Sequence, residues 1–351
     1  MTSTDAWHQS RAPVASLGVL QELVERFWGF SPALKPLYGE RDLNARLLTP
    51  DRERWLLKLS HPDTSRARLA FESRVLEGLA MQPSAPATPQ LLPSREGVRV
   101  VPVTLGSGQE THLRILSWLP GEPLDPTRAP ASALEALGES CACLNEALAA
   151  CDLTDGGEAL PRNLPWDLQN TDQLASLLDH APPVVPGDAV QRTLTRFHDH
   201  VSGALARLPR QVVHNDLNPD NIRFDPQRPL AHPGIIDFGD MVHAPVICDL
   251  AIACAYVVGE EANTCLDRVI PVLRGFERIR PLEGAEWELL PTLLEARLCQ
   301  SLTIQGARIS DAHPDAGALT QSLEGHARRL LALQAIADHR PRWLQARVRA
   351  D

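Results

Sequence analysis

Between two short apolar runs the chain carries His214-Asn215-Asp216-Leu217-Asn218-Pro219-Asp220-Asn221, and the β-rich run Gly234-Ile235-Ile236 delivers Asp237-Phe238-Gly239-Asp240 shortly after it. An HxDxxxxN loop with a second Asp at the end of a nearby strand leaves few architectures open, and its residue types point to phosphoryl transfer. That chemistry asks little covalent work of a protein, because its transition state is stabilised by position and by charge on metal ions. One carboxylate must accept or orient the attacking hydroxyl, and hard oxygen donors must hold Mg²⁺ against the phosphates. Asp216 fits the first task. Asn221 and Asp237 fit the second.

Together the two segments resemble the catalytic loop and the DFG-type metal loop of the protein-kinase-like fold, specifically those of the aminoglycoside phosphotransferase family. The run from Ile235 to Val258, IIDFGDMVHAPVICDLAIACAYVV, is most similar to the hydroxylysine kinase group. The resemblance implies an α+β, bilobal fold, with a small antiparallel-sheet N-lobe and a larger, mainly helical C-lobe. It implies Mg²⁺ and a nucleoside triphosphate donor, GTP for the hydroxylysine kinase group with ATP still open, and 5-hydroxylysine as acceptor. In this reading His214 supports the loop rather than acting as a base, and Asp249 buttresses it from the start of the next helix, where an anion also suits the helix N-terminus. Asp240 and His243 are candidates for substrate contact or for support. Only Asp240 to Cys248 separates Gly239 from Asp249, too short for the peptide-binding segment of protein kinases, so a small-molecule acceptor is expected.

Composition narrows the field further. The 351 residues are 44% hydrophobic and 22% charged, ordinary for a globular protein able to bury a large core. Lys and Arg total 34 against 44 Asp and Glu, a net charge of −10, and no basic cluster stands out, which argues against a nucleic-acid partner. No apolar run reaches membrane-spanning length and no secretory signal is evident at the N-terminus, so a cytoplasmic protein is expected. The seven cysteines are odd in number and sit mostly in apolar helical pattern, which favours reduced thiols. Cys141 and Cys143 lack a second Cys/His pair at zinc spacing.

Along the chain, Leu17, Leu20, Val24 and Phe27 recur at helical spacing before Gly29, and Ala33–Tyr38 and Ala45–Leu48 flank a polar turn from Gly39 to Asn44. The turn lacks the GxGxxG of protein kinases. The resembling family often replaces that loop with a polar turn ending in Asn, so Gly39 and Asn44 are placed at the phosphates, contacted through backbone amides. Arg54–Leu59 reads as a strand carrying Lys58, the phosphate lysine that the resemblance implies. Glu72, on a helix from Thr64 to Ala80, is its expected partner, with Glu77 as a rival. Strands at Val98–Val103 and His112–Leu116 complete the first lobe, 1–117. The segment Ser117-Trp118-Leu119-Pro120-Gly121-Glu122-Pro123 is read as a hinge whose extended backbone, at Ser117 and Leu119, meets the nucleotide base.

The remainder, 118–351, is read as the catalytic and substrate-binding lobe. Leu134, Leu137, Cys141, Leu144 and Leu148 share one helical stripe, as do Trp287, Leu290, Leu294 and Leu298. Asp167 either faces substrate or caps a helix beginning near Thr171, with capping preferred. The expected activity is phosphoryl transfer to the hydroxyl of an amino-bearing metabolite. An aminoglycoside kinase, a nucleotide-binding pseudokinase and a metal-dependent hydrolase are the rivals.

Overall fold

Ser16 opens the first helix, α1 (Leu17–Trp28), by accepting a hydrogen bond from the Val19 backbone N–H, and Gly29 closes it in the left-handed region at φ +84°. The computed structural model describes residues 12–39, 41–153, 159–161, 163–179, 181–225, 233–310, 316–336 and 340–350. They fall into two compact units, one made of Met1–Pro83, Ala87–Pro120 and Cys151–Leu160, the other of Ser84–Pro86, Gly121–Ala150 and Pro161–Asp351.

In the first unit, β1 (Ala33–Leu37), β2 (Leu43–Leu48), β3 (Arg54–Leu59), β4 (Val101–Thr104) and β5 (Glu110–Ser117) form an antiparallel sheet in the order β1-β2-β3-β5-β4. The fourth strand starts later than the apolar run suggests, because Val98 is used in a turn, its carbonyl accepting from Ser94 N–H at 2.8 Å. Strand alternation decides what each face buries. Ala45, Leu47, Leu57 and Leu59 join Leu20, Val24 and Trp28 of α1 in one core. Lys58 therefore turns to the opposite face, with Arg114 directly across from it in register. The helix α2 (Arg66–Ala80) is N-capped by Ser65 and buries Leu69, Phe71, Val75, Leu76 and Leu79.

The second unit is mainly helical. Its long elements are α3 (Ala131–Ala150), α4 (Gly187–Arg196, continued to Leu205 by wider turns), α5 (Ile247–Ala255), α6 (Val269–Ile279), α7 (Gly284–Ser310), α8 (Ala316–Ala335) and α9 (Arg340–Arg349). All nine residues of α5 are buried, as expected for a helix that is apolar all round. Helices α3 and α6 approach closely through glycine: a Cβ on Gly138 would collide with the Val272 carbonyl, and one on Gly275 with the Glu135 carbonyl. Two small sheets carry the loops of interest. Strand β7 (Arg210–Val213) pairs with β10 (Val242–Pro245), and β8 (Ile222–Phe224) lies between β6 (Glu122–Pro123) and β9 (Gly234–Ile235). Among the described residues no helix is long and apolar enough to cross a membrane. The seven cysteines are free thiols.

Candidate active site

Strand pairing explains why the two acidic loops meet. Ile222 opposes Ile235, and the Ile236 N–H donates to the Asn221 carbonyl at 3.0 Å, so the end of the first loop runs beside the start of the second. On the other side, Val213 opposes Val242. The His214–Asn221 loop is thus pinned at both ends by the strands that carry Asp237 and His243.

Within the loop, Asp216 is surrounded by donors. Its Oδ1 accepts from Asn218 Nδ2 at 2.9 Å and from Arg297 Nη2 at 2.8 Å, and its Oδ2 accepts from Asn221 Nδ2 at 2.7 Å. Asn221 Nδ2 also reaches the Asp216 carbonyl at 2.9 Å. With its amide nitrogen committed to Asp216, Asn221 has its carbonyl oxygen as the group to offer a cation. That oxygen and the Asp237 carboxylate are the hard donors Mg²⁺ takes alongside phosphate oxygens and water, so the residues present fit that ion.

His214 is fully buried and reads as a brace. Its Nδ1 accepts from the Asp216 N–H at 3.2 Å, which makes Nε2 the protonated nitrogen, donating to the Ile236 carbonyl at 3.0 Å. The ring packs edge-on against Phe238, centroids 4.7 Å apart. Asp249, also fully buried, accepts from the His214 N–H at 3.0 Å, the Asn215 N–H at 2.7 Å and Asn145 Nδ2 at 3.2 Å. Burial pushes its carboxyl above the usual range, while the His214 ring and those three donors work against the rise.

Two non-glycine residues of the loops hold left-handed backbone, Asn215 at φ +66° and Asp237 at φ +63°. Such conformations cost about 1–3 kcal/mol and persist where the surroundings enforce them. Asn tolerates the region better than most residues, and here Asp249 holds its own N–H and that of His214 before it. Asn215→Gly is expected to leave unfolding free energy within about 1 kcal/mol of the parent, whereas β-branched Asn215→Val lowers it by about 3 kcal/mol, read by chemical denaturation.

Asp167 is a cap. It accepts from the Gln169 N–H at 2.9 Å and opens a 3₁₀ helix at Leu168–Leu174, three residues before the expected start. Burial raises its carboxyl, with the Gln169 donors opposing. Gln169 Nε2 and Arg210 Nη2 both donate to the His243 carbonyl, and Arg210 also donates to Gln169 Oε1. The His243 imidazole is held below its usual range by burial and by Arg210. Asp240 lies in a short 3₁₀ turn, Phe238–Asp240.

In the first unit Lys58 and Arg114 each have a carboxylate beside them. Lys58 Nζ lies 3.5 Å from Asp42 Oδ2, while Glu72 Oε2 lies 2.9 Å from Arg114 Nη1. Glu72 is therefore engaged with Arg114, and Lys58 with Asp42. The register accounts for Asp42: Asn44 opposes Lys58, so Asp42, two residues earlier on the same face, reaches it diagonally. Asp42 Oδ1 also accepts from the His61 N–H at 2.9 Å, which ties the turn to the end of β3. Gly39 is required here, since a Cβ would collide with the Asp42 carbonyl, and Asn44 Nδ2 donates to the Tyr38 carbonyl at 3.4 Å. Ser117 is engaged with Gln90, its N–H donating to the Gln90 carbonyl at 2.7 Å and its hydroxyl accepting from the Gln90 N–H at 2.8 Å. Leu119 is half-buried.

Sequence reading passed over Arg297, Arg114 and Asp42. Each had a signal: Arg297 lies in the apolar stripe of α7, Arg114 in the strand His112-Leu113-Arg114-Ile115-Leu116, and Asp42 in the polar turn. A charge inside an apolar run calls for a buried partner. Arg297 is 1% exposed. Burial works against its charge, yet Tyr256 and Asp216 outweigh that and hold its proton more firmly than usual.

A profile of the phosphotransferase enzyme family (APH) matches residues 34–282. Hydroxylysine kinase of Mus musculus is 25% identical over 323 residues, spanning 87% of this chain and 86% of that protein. Homoserine kinase of Methylobacillus flagellatus is 29% identical over 214 residues, spanning 59% and 60%. Among solved structures, amicoumacin kinase in complex with AMP-PNP, Ca²⁺ and its amicoumacin ligand superposes with a TM-score of 0.66 at 16% identity, covering 93% of this chain and 96% of that one. At that identity the likeness speaks for the protein-kinase-like fold, an antiparallel sheet followed by a helical remainder.

Proposed function

We propose a reaction for this chain from the premise that it belongs to the phosphotransferase enzyme family, whose profile spans most of it. It is a phosphotransferase acting on a hydroxyl group of a small molecule, with a nucleotide as phosphate donor. The finer reading is Mg²⁺-dependent transfer of the γ-phosphate of ATP or GTP to an amino alcohol, with 5-hydroxylysine the favoured acceptor. The wide match to mouse hydroxylysine kinase, together with the match to a homoserine kinase, supports a hydroxy amino acid. The observation that carries the reading is Asp216 held by donors on both carboxylate oxygens beside Asn221.

In this mechanism Asp216 orients the acceptor hydroxyl and takes its proton late, as bonding to phosphorus develops. Asn221 and Asp237 would hold Mg²⁺, which when bound neutralises charge on the phosphates. Lys58, oriented by Asp42, would contact the phosphates, with the Gly39–Asn44 turn lending backbone N–H groups, and the backbone at Ser117 and Leu119 would meet the base. His214 and Asp249 fix the loop. Asp240 and His243 remain candidates for the acceptor's polar groups, while Asp167 acts through its cap.

A donor-consumption screen with ATP and GTP against hydroxylysine, homoserine, simpler amino alcohols and aminoglycosides tests the reading. Turnover confined to hydroxy amino acids supports it, and turnover confined to aminoglycosides replaces the acceptor. Nucleotide binding without turnover would leave a pseudokinase, and phosphate release without any acceptor a hydrolase. Asp237→Ala is expected to weaken Mg-nucleotide binding about tenfold or more while metal-free nucleotide binding changes little, measured by calorimetry with and without Mg²⁺.

A further inference from the structure

Arg297 reaches Asp216 from α7, 81 residues further along the chain. Its guanidinium is fixed on every side. Nε donates to Tyr256 Oη at 3.2 Å, and Nη1 donates to the Trp166 carbonyl at 3.1 Å and to Gln300 Oε1 at 3.4 Å. Its Cζ also lies over the Trp166 and Tyr256 rings, 4.7 and 5.7 Å from their centroids. An arginine held this way has one rotamer and cannot follow a moving partner. Asp216, by contrast, sits on a loop and is half-buried. The stiff partner therefore sets the position of the looser one.

Stability alone does not explain such a group. Burying a guanidinium costs several kcal/mol of desolvation, and a well-packed apolar residue at the same place is often as stable or more so. Two further donors to the carboxylate, Asn218 and Asn221, belong to the same loop as Asp216 and would move with it. Arg297, by contrast, ties the carboxylate to the helical scaffold.

We propose that Arg297 is a positioning residue for phosphoryl transfer, anchoring the Asp216 carboxylate to α7 so that its orientation toward the acceptor hydroxyl is set before substrate arrives. The inference rests on the reading of Asp216 as the residue that meets that hydroxyl. Preorganisation of this kind acts on the chemical step and little on ground-state binding, because the carboxylate's geometry matters most as the hydroxyl attacks. Tyr256 and Trp166 then act one step further out, by holding Arg297.

The test compares Arg297→Met, Arg297→Lys and Tyr256→Phe with the wild type, taking kcat per folded molecule, KM for acceptor and nucleotide, and thermal unfolding of each. Arg297→Met is expected to lower kcat about 100-fold with both KM values within about threefold. Arg297→Lys keeps the charge but not the fork, and recovers about tenfold of that loss; Tyr256→Phe loses about threefold in kcat, since it frees one side of the guanidinium. A fall in melting temperature with kcat per folded molecule unchanged overturns the proposal and leaves Arg297 a structural group. Equal losses in the Met and Lys variants, or a loss confined to KM, also overturn it. A wild type that transfers phosphate to an acceptor while Arg297→Met matches it removes the positioning role and leaves the reaction standing. A wild type that transfers to no acceptor removes both.

Discussion

Asp216→Asn is expected to lower kcat by about 10²–10⁴-fold while nucleotide affinity stays within about threefold of the parent. Asn cannot take the hydroxyl proton, and its amide must place an NH₂ where donors from Arg297, Asn218 or Asn221 already point. One donor then faces another, and the loop has to shift. Arg297 also loses the carboxylate it donates to, so a stability loss of about 2 kcal/mol should accompany the kinetic effect. Measuring kcat and nucleotide Kd on the same preparation, at a temperature where unfolding is negligible, separates the two effects. An Asp216→Asn enzyme with parental kcat would rule out this carboxylate as the group that handles the hydroxyl.

The second large effect lies in the other unit and concerns stability. Glu72 and Arg114 pair with side-chain exposures of 4% and 1%, so Glu72→Gln leaves a buried guanidinium without its counter-charge. A loss of about 3–5 kcal/mol in unfolding free energy follows. If Glu72 also orients Lys58, a weakened nucleotide site accompanies the stability loss. Asp42→Asn supplies the contrast: its carboxylate, 20% exposed and 3.5 Å from Lys58, is expected to matter more to nucleotide affinity than to folding. Denaturation curves and nucleotide titrations on the two variants read both effects. A Glu72→Gln variant of parental stability would remove the pair with Arg114 as a source of folding energy. The double change Glu72→Gln with Arg114→Met should recover much of the lost stability, because an apolar pair of similar volume removes the stranded charge.

What the sequence determined by itself was whatever depends on order and period along the chain. The apolar spacing of Leu20, Val24 and Phe27, the stop at Gly29 and the apolar run around Lys58 in Arg54–Leu59 are local properties, and their elements stand in the structure as α1 and β3. The loop His214–Asn221 was legible for the same reason, since its residue types and spacing are themselves the signal, and the comparisons agree on the family. Partners fixed by register or by helix docking were not legible. Asp42 meets Lys58 because Asn44, and not a neighbour, opposes it in β2; a slip of one residue would turn Asp42 to the other face. Arg114 meets Glu72 because β5 places it beside β3 on the face that Glu72 of α2 reaches, a pairing that no spacing encodes. Arg297 reaches Asp216 only once α7 is packed against the loop, across 81 residues of chain. Tertiary structure decided these because a buried charge must find its counter-charge in space, and which one lies within 3 or 4 Å is set by packing rather than by distance along the sequence.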